Sequence, residues 1–165
     1  MRPQDIVVLL KILCYGNNNW YSKTLANDLY LSSAEVSNSL NRNKIAGLID
    51  AEKKNVRKQA LFDFIVNGLQ YVFPQRPSEL ARGLPTALSH PFMKNHFISE
   101  QKYVWPDAES DERGFSIQPL YPGVVSAVKK DERLYLMLAM IDVLRTGKTR
   151  DRKIAIEELE KLINQ

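Results

Sequence analysis

The sequence predicts a mainly α-helical fold with minor β-structure, and three observations lead to that prediction. Apolar residues recur at helical spacing over residues 3–73 and again over residues 132–163. Seven of the eight prolines lie between Phe73 and Gly123, where they exclude long helices. Six aromatic residues share that segment, and disordered linkers are poor in aromatics. We therefore expect the proline-rich segment to be packed and to contain short extended pieces.

Four helices are predicted in the first 73 residues, followed by a composition change at Phe73. Turn residues and apolar periodicity set their bounds. The predicted helices run from Pro3 to Tyr15, from Lys23 to Tyr30 with Ser22 as cap, from Ser33 to Ala46, and from Val56 to Phe73 with Asn55 as cap. A short strand at 48–50 and a polar turn at 52–55 are expected before the fourth helix.

The ends of the third helix carry the most specific local signals. Ser32 and Glu35 have the spacing of a capping box, in which each side chain accepts a hydrogen bond from the other residue's backbone amide. Gly47 follows the helix, where a residue in the left-handed conformation would end it. Because a long fourth helix occupies the place of two antiparallel strands, we expect any wing after this helix to be short or missing.

The second half, residues 74–165, is predicted to be a bridging segment with short strands followed by a C-terminal helical unit. A helix that is apolar nearly all round, such as the one at 132–145, is usually buried centrally or in a subunit interface. Extended pieces are predicted near Asn95–Ile98, Gln101–Trp105 and Gly114–Leu120, an exposed acidic loop at Asp107–Gly114, and helices at 123–130, 132–145 and 149–163. The chain therefore divides into predicted domains at 1–73 and 74–165.

Composition limits the class of protein. The chain has 165 residues, and no apolar run approaches the roughly 20 residues that span a bilayer. The only cysteine, Cys14, excludes an internal disulfide framework. We therefore expect a cytoplasmic protein with no membrane partner. Residues 1–73 hold nine basic side chains against six acidic ones, whereas residues 74–165 hold fourteen against thirteen, so most of the net charge of +4 lies in the first segment.

The third helix has two faces of different chemistry. Val36, Leu40 and Asn43 fall on one narrow arc, which should pack against the preceding helices. The opposite arc carries small polar groups, Ile45 and the Arg42 guanidinium, which suit the edges of base pairs in a major groove. Lysines nearby could bind phosphates. The candidate DNA-binding residues are Lys23, Thr24, Ser33, Ala34, Ser37, Asn38, Asn41, Arg42, Lys44, Lys53, Lys54 and Arg57.

Residues 20–49 resemble the helix-turn-helix of bacterial MarR-like and ArsR-like regulators. The shared pattern is Leu25-Ala26, Val36-Ser37, Leu40 and Gly47-Leu48-Ile49. The resemblance implies a winged helix-turn-helix fold and binding of double-stranded DNA. The sequence departs from the pattern at Asn43, where an apolar residue is usual, so this amide needs a partner. Segments beyond Phe73, such as Tyr103-Val-Trp-Pro-Asp107, are similar to small bacterial proteins of unassigned function.

Other chemistry finds little support in the sequence. The spacing of His90, His96 and Cys14 fits no zinc pattern. Gly147-Lys148-Thr149 lacks the upstream glycine and the preceding strand of a phosphate-binding loop. Since no nucleophile–base set stands out either, we expect a protein without catalytic activity, metal or cofactor.

The sequence thus favours a transcription regulator of bacterial type, acting as a repressor in the form of a homodimer that covers its operator. The apolar helix at 132–145 would suit the dimer core, although it could equally be the centre of one chain. A first alternative is an antitoxin-like protein whose proline-rich segment wraps a partner protein. A second is an interaction module whose helix-turn-helix does not touch DNA.

Overall fold

The computed structural model of the chain describes residues 1–16, 18–96 and 101–165. It confirms a mainly helical fold with a small three-stranded sheet. The helices are α1 (Pro3–Cys14), α2 (Ser22–Asp28), α3 (Ser33–Ile45), α4 (Lys58–Asn67), α5 (Leu69–Val72), α6 (Pro91–Lys94), α7 (Val124–Val128), α8 (Glu132–Thr146) and α9 (Thr149–Asn164). The strands are β1 (Leu80–Pro85), β2 (Tyr103–Pro106) and β3 (Arg113–Ser116).

The predicted ends of α3 are confirmed, whereas the predicted cap of α2 is wrong. The Ser32 side chain accepts a hydrogen bond from the Glu35 amide at 3.1 Å, and Glu35 accepts one from the Ser32 amide at 3.3 Å. Gly47 has the left-handed φ of +72° that ends the helix. Ser22 is the first residue of α2 and not its cap, because the extended residue that precedes the helix is Tyr21.

The predicted single helix from Val56 to Phe73 is wrong at its start and in its continuity. Val56 pairs with Ile49 in an isolated antiparallel bridge, so the chain is still extended there. Asn55 does not cap a helix; its side-chain amide donates to Asp50 at 2.6 Å. The helix begins only at Lys58, and α4 and α5 meet at Gly68. Residues 50–55 form the turn between Ile49 and Val56.

The sheet contains one strand that the sequence pattern did not predict. This strand, β1, pairs antiparallel with both β2 and β3, which pair in parallel with each other. A Cβ atom on Gly83 would lie 1.9 Å from the Trp105 carbonyl oxygen, so only glycine permits this close approach of β1 and β2. The predicted extended pieces at 101–105 and 114–120 correspond to β2 and to the end of β3.

The extended piece predicted near Asn95–Ile98 is wrong where the structure describes it. Asn95 and His96 lie in the turn that follows α6, with their amides donating to the Phe92 and Met93 carbonyls at 3.3 and 2.9 Å. A proline at the first position of α6 starts that helix, and it leaves no room for a strand before residue 96. The rest of the piece, residues 97 and 98, lies outside the described residues.

Helix α8 forms the centre of the molecule. Its residues from Leu134 to Leu144 are almost all buried, and it packs against α1, α9 and the 3-10 turn Ala87–Ser89. The sequence left open whether this helix forms a dimer core or the centre of one chain. The structure places it at the centre of one chain. The buried apolar core is continuous across residue 73, while the division into domains at that residue stays a prediction.

The acidic loop after β2 is exposed in part and is tied to lysines. The Lys129 ammonium lies 3.2 Å from a carboxylate oxygen of Asp107 and 2.8 Å from one of Glu109. Glu112 pairs with Lys102 at 2.9 Å.

No helix in the ranges 1–16, 18–96 and 101–165 combines the length and apolarity needed to cross a bilayer.

Candidate nucleic-acid interface

Helix α3 packs on α1 and α2 through its predicted inner arc. Val36 and Leu40 are buried there, and Ser39 and Asn43 are fully buried beside them. The Asn43 side chain donates to the backbone carbonyl of Asp5 in α1 at 3.0 Å and to the Ser39 hydroxyl at 3.5 Å. Helix α1 therefore supplies a partner for the NH2 group of the buried Asn43 amide, whereas its Oδ1 atom is buried without a hydrogen-bond partner among the described residues.

The opposite face of α3, which we call the outward face, is open to solvent. Ile45 is 87% exposed on it, which is unusual for a large apolar side chain. The exposed residues of the outward face are Ser33, Ala34, Ser37, Asn38, Asn41, Lys44 and Ile45. None of them is acidic.

Arg42 belongs to the same arc by helical angle, but the structure turns its guanidinium towards α1. Its Nε and Nη2 atoms donate to the two carboxylate oxygens of Asp5 at 2.8 and 2.6 Å. Asp5 is fully buried, whereas the Arg42 side chain is 25% exposed. The bidentate pair uses two of the five guanidinium N–H donors and holds α3 on α1, while three donors remain outside the pair.

The electrostatic environment of Asp5 keeps its carboxylate ionised. Burial alone would raise the pKa of this group, because it disfavours the charged form. Hydrogen bonds from Arg42, from the Arg2 backbone amide and from Ser39 outweigh that effect, and the pKa lies below its ordinary value. The paired Arg42 has a raised pKa, chiefly through its hydrogen bonds with Asp5. The ion pair therefore persists at neutral pH.

The predicted phosphate-binding residues lie on α2, on the turn at 50–55 and just before α4. Lys23 and Thr24 are exposed in the first turn of α2, and Arg57 is exposed before α4. Lys53 has a left-handed φ of +57°, and its ammonium donates to the Asn41 side chain, which joins the turn at 50–55 to α3. The Lys54 ammonium instead lies 4.8 Å from the centroid of the Trp20 ring. Of these residues, Lys53 is the one with a hydrogen bond to the outward face in the described part of the chain.

Asp5 is the residue of this site that the sequence did not single out. It stands one residue before the apolar run that begins at Ile6, and an acidic residue in a first helical turn is ordinary there. Its carboxylate does accept the Arg2 amide at 2.7 Å in that role. The buried amide at Asn43 could not have identified it, because that amide contacts the Asp5 backbone carbonyl, which every residue has.

A second polar cluster lies in the core, between α8 and the sheet. Asp142 of α8 is 2% exposed and accepts hydrogen bonds from Thr86 at 2.9 Å, Trp105 at 2.6 Å and Arg145 at 2.9 Å. Burial raises the pKa of this carboxyl, and the three donors oppose that shift. Since the cluster is closed to solvent and internally satisfied, it joins β2 to α8 and offers no surface to a substrate.

The histidines do not form a metal site with Cys14 in the described part of the chain. His90 is buried against Tyr135, with ring centroids 4.2 Å apart, and burial lowers its pKa to about 4. His96 lies on the surface and contacts the Phe92 carbonyl at 3.0 Å. Among residues 1–16, 18–96 and 101–165, no group of three His, Cys, Asp or Glu side chains could hold a metal ion.

Comparison with family models, with curated proteins and with solved structures found no match to this chain. The resemblance to winged helix-turn-helix regulators therefore depends on the residues of the 20–49 segment.

Proposed function

We propose that the chain is a sequence-specific DNA-binding regulator in which α2, its turn and α3 act as a helix-turn-helix. The observation that carries the proposal is the outward face of α3, whose exposed residues include no acidic side chain and which Lys53 contacts through Asn41. A helix of this kind fits the major groove, where base edges present donors, acceptors and thymine methyl groups.

Within this proposal the exposed side chains have distinct tasks. Asn38 would pair with an adenine edge, while Ala34 and Ile45 would contact thymine methyl groups. Lys23, Lys44 and the cations at 53–57 would bind phosphates on either side of the groove and set the affinity for all sequences. Arg42 positions α3 through Asp5, and the N–H donors outside that pair keep it a candidate for a guanine edge.

The regulator would act by occupying its operator as a homodimer. Two-fold symmetry of the protein matches the two half-sites of a palindromic operator. Because α8 is buried within one chain, the dimer contact would use another surface. The mass of the protein in solution, measured alone and with a bound duplex, tests this part of the proposal.

Selection from random duplexes, followed by anisotropy titrations of a labelled duplex at two salt concentrations, tests DNA binding directly. Lys53→Ala should weaken binding to all sequences and reduce the salt dependence by about one phosphate contact. Asn38→Ala should reduce discrimination at one base pair by about 1–3 kcal/mol. Lys153→Ala, an exposed lysine of α9, is the matched control and should leave both quantities unchanged.

Failure of the intact chain to retain any duplex at low salt would exclude the regulator. The alternative, a partner-binding protein of the antitoxin-like type, has one observation in its favour. Tyr71 and Leu80 stay 77% and 72% exposed on the two sides of residues 73–79, and exposed apolar groups often mark a protein contact. Co-purification of a stoichiometric partner protein from the native host would support that alternative.

A further inference from the structure

A cavity of about 640 Å³ opens between the end of α1, residues 18–21 and the turn that leads into α4. Its lining includes three aliphatic side chains, two aromatic rings and two lysines, together with several carboxamides. No Asp or Glu side chain is among its described lining residues. Small-molecule sites have volumes of roughly 300–1,000 Å³, and the volume of this cavity lies in that range. Its many polar groups favour a polar ligand.

The aromatic wall is partly fixed and partly free. Trp20 is 9% exposed, and its indole N–H donates to the Lys54 carbonyl at 3.4 Å. The Lys54 amide in turn donates to Asp50 at 2.7 Å, which holds the backbone of the turn in place. Tyr21 is 66% exposed, so one ring of the wall is available for stacking.

The charge on the wall is not neutralised by the described part of the chain. Neither Lys54 nor Lys58 forms an ion pair with a described carboxylate, and the Lys54 ammonium lies 4.8 Å from the centroid of the Trp20 ring. Two ammonium groups match a group that carries about −1.5 to −2 charges at neutral pH, as a phosphate monoester does. Exposed carboxamides at Asn18 and Asn19 add donors and acceptors of the kind that pair with base edges.

We propose that this cavity binds a nucleoside monophosphate. The phosphate lies between Lys54 and Lys58, and the base lies along Tyr21 with its edge towards the asparagines. The nucleotide comes either from the free pool or from the phosphorylated end of a nucleic-acid strand, since both present the same chemistry.

One consequence of this site rests on the proposed function. Lys54 is also a candidate for DNA phosphate contact, so a nucleotide in the cavity and an operator would compete for the same ammonium group. Saturation of the cavity should then weaken duplex binding, and the nucleotide would act as an effector.

Titration calorimetry of the intact chain tests the site with the four ribonucleoside 5′-monophosphates, adenosine, inorganic phosphate and a 5′-phosphorylated oligonucleotide. We expect at least one monophosphate to bind about tenfold tighter than adenosine or phosphate alone, because both halves of the ligand contribute. Tighter binding of the oligonucleotide would identify a strand end as the source, and tighter binding of the monophosphate would identify the free pool.

Variants with matched controls localise the binding. Lys58→Ala and Tyr21→Ala should each weaken it about tenfold. Lys153→Ala and Tyr71→Ala remove a lysine and a similarly exposed tyrosine elsewhere, and should leave it unchanged. Absence of binding for every monophosphate up to about 1 mM, or equal affinity in all four variants, would overturn the site. If nucleotides bind but do not change the affinity for a duplex that the chain does bind, the competition alone is wrong.

Discussion

Asp5 contacts α3 through its side chain and through its backbone carbonyl. The carboxylate holds Arg42 by two hydrogen bonds, and the carbonyl accepts from Asn43 one position further along α3. Periodicity alone placed Arg42 outward because it locates the Cβ atom, not the far end of a long side chain. A guanidinium several bonds from the backbone can turn back to a buried carboxylate, and no helical-wheel argument contains that information.

Asp5→Ala should destabilise the fold strongly. The substitution leaves Arg42 without its partner, and loss of one member of a buried ion pair costs about 3–5 kcal/mol. We expect the lower end of that range, about 3 kcal/mol, because the Arg42 side chain is 25% exposed. Urea denaturation at pH 7 measures the change. Asp63→Ala, an exposed aspartate of α4, is the control, with an expected effect within about 0.5 kcal/mol.

The stability difference between the wild type and Asp5→Ala should depend on pH if the ion pair causes it. Because the pKa of Asp5 is lower in the folded chain than in the unfolded one, its charge adds stability above the unfolded pKa of about 3.9. That stability is lost as the pH falls through the folded pKa. The gap between the wild type and Asp5→Ala should therefore shrink below about pH 4. An equal gap at pH 7 and in acid would contradict the ion-pair explanation.

The helical elements were predictable where the signals are local. The capping box at Ser32 and the stop at Gly47 fixed the ends of α3, and apolar periodicity fixed α8 and α9 to within a residue or two. Strand β1 and the start of α4 were not predictable, because their hydrogen bonds depend on partners elsewhere in the chain. The amide of Arg57 donates to the Leu48 carbonyl at 2.9 Å, and that pairing delays the helix.

Gly47→Ala should destabilise α3 by about 1 kcal/mol. The expected cost is purely conformational, since φ at Gly47 is +72° and nothing lies within 4 Å of the Cβ position. Gly47→Asn should cost less, because asparagine tolerates the left-handed region better than alanine. Thermal unfolding followed by circular dichroism ranks the two variants; equal losses would show that some other contact of Gly47 matters.

At the scale of the whole molecule, several contacts tie the second half to α1, α2 and their connections. The Tyr121 hydroxyl donates to the Leu29 carbonyl at 2.7 Å, next to the turn between α2 and α3. Lys11 of α1 lies 2.8 Å from Asp131, the residue that caps α8. A sequence pattern with a composition change at Phe73 could not show these contacts, since each joins residues about a hundred positions apart.

The isolated segment 1–73 should not fold to the stability that it has in the intact chain. Helix α1 is buried from Asp5 to Leu13 and contacts α8, while α4 contacts α9, so removal of residues 74–165 exposes apolar surface on both. We expect this fragment to unfold in a broad, weakly cooperative transition by circular dichroism. A sharp transition at the midpoint of the full chain would instead support an autonomous N-terminal domain.

The two tryptophans lie in very different surroundings. Trp105 is 1% exposed and bound to a carboxylate in the core, whereas Trp20 is 9% exposed and lines the cavity beside an ammonium group. Indole emission moves to longer wavelengths as its surroundings become more polar and mobile. The chain therefore carries two natural optical reporters, one in each half, and replacing either by phenylalanine would let events at the cavity and around Asp142 be timed separately.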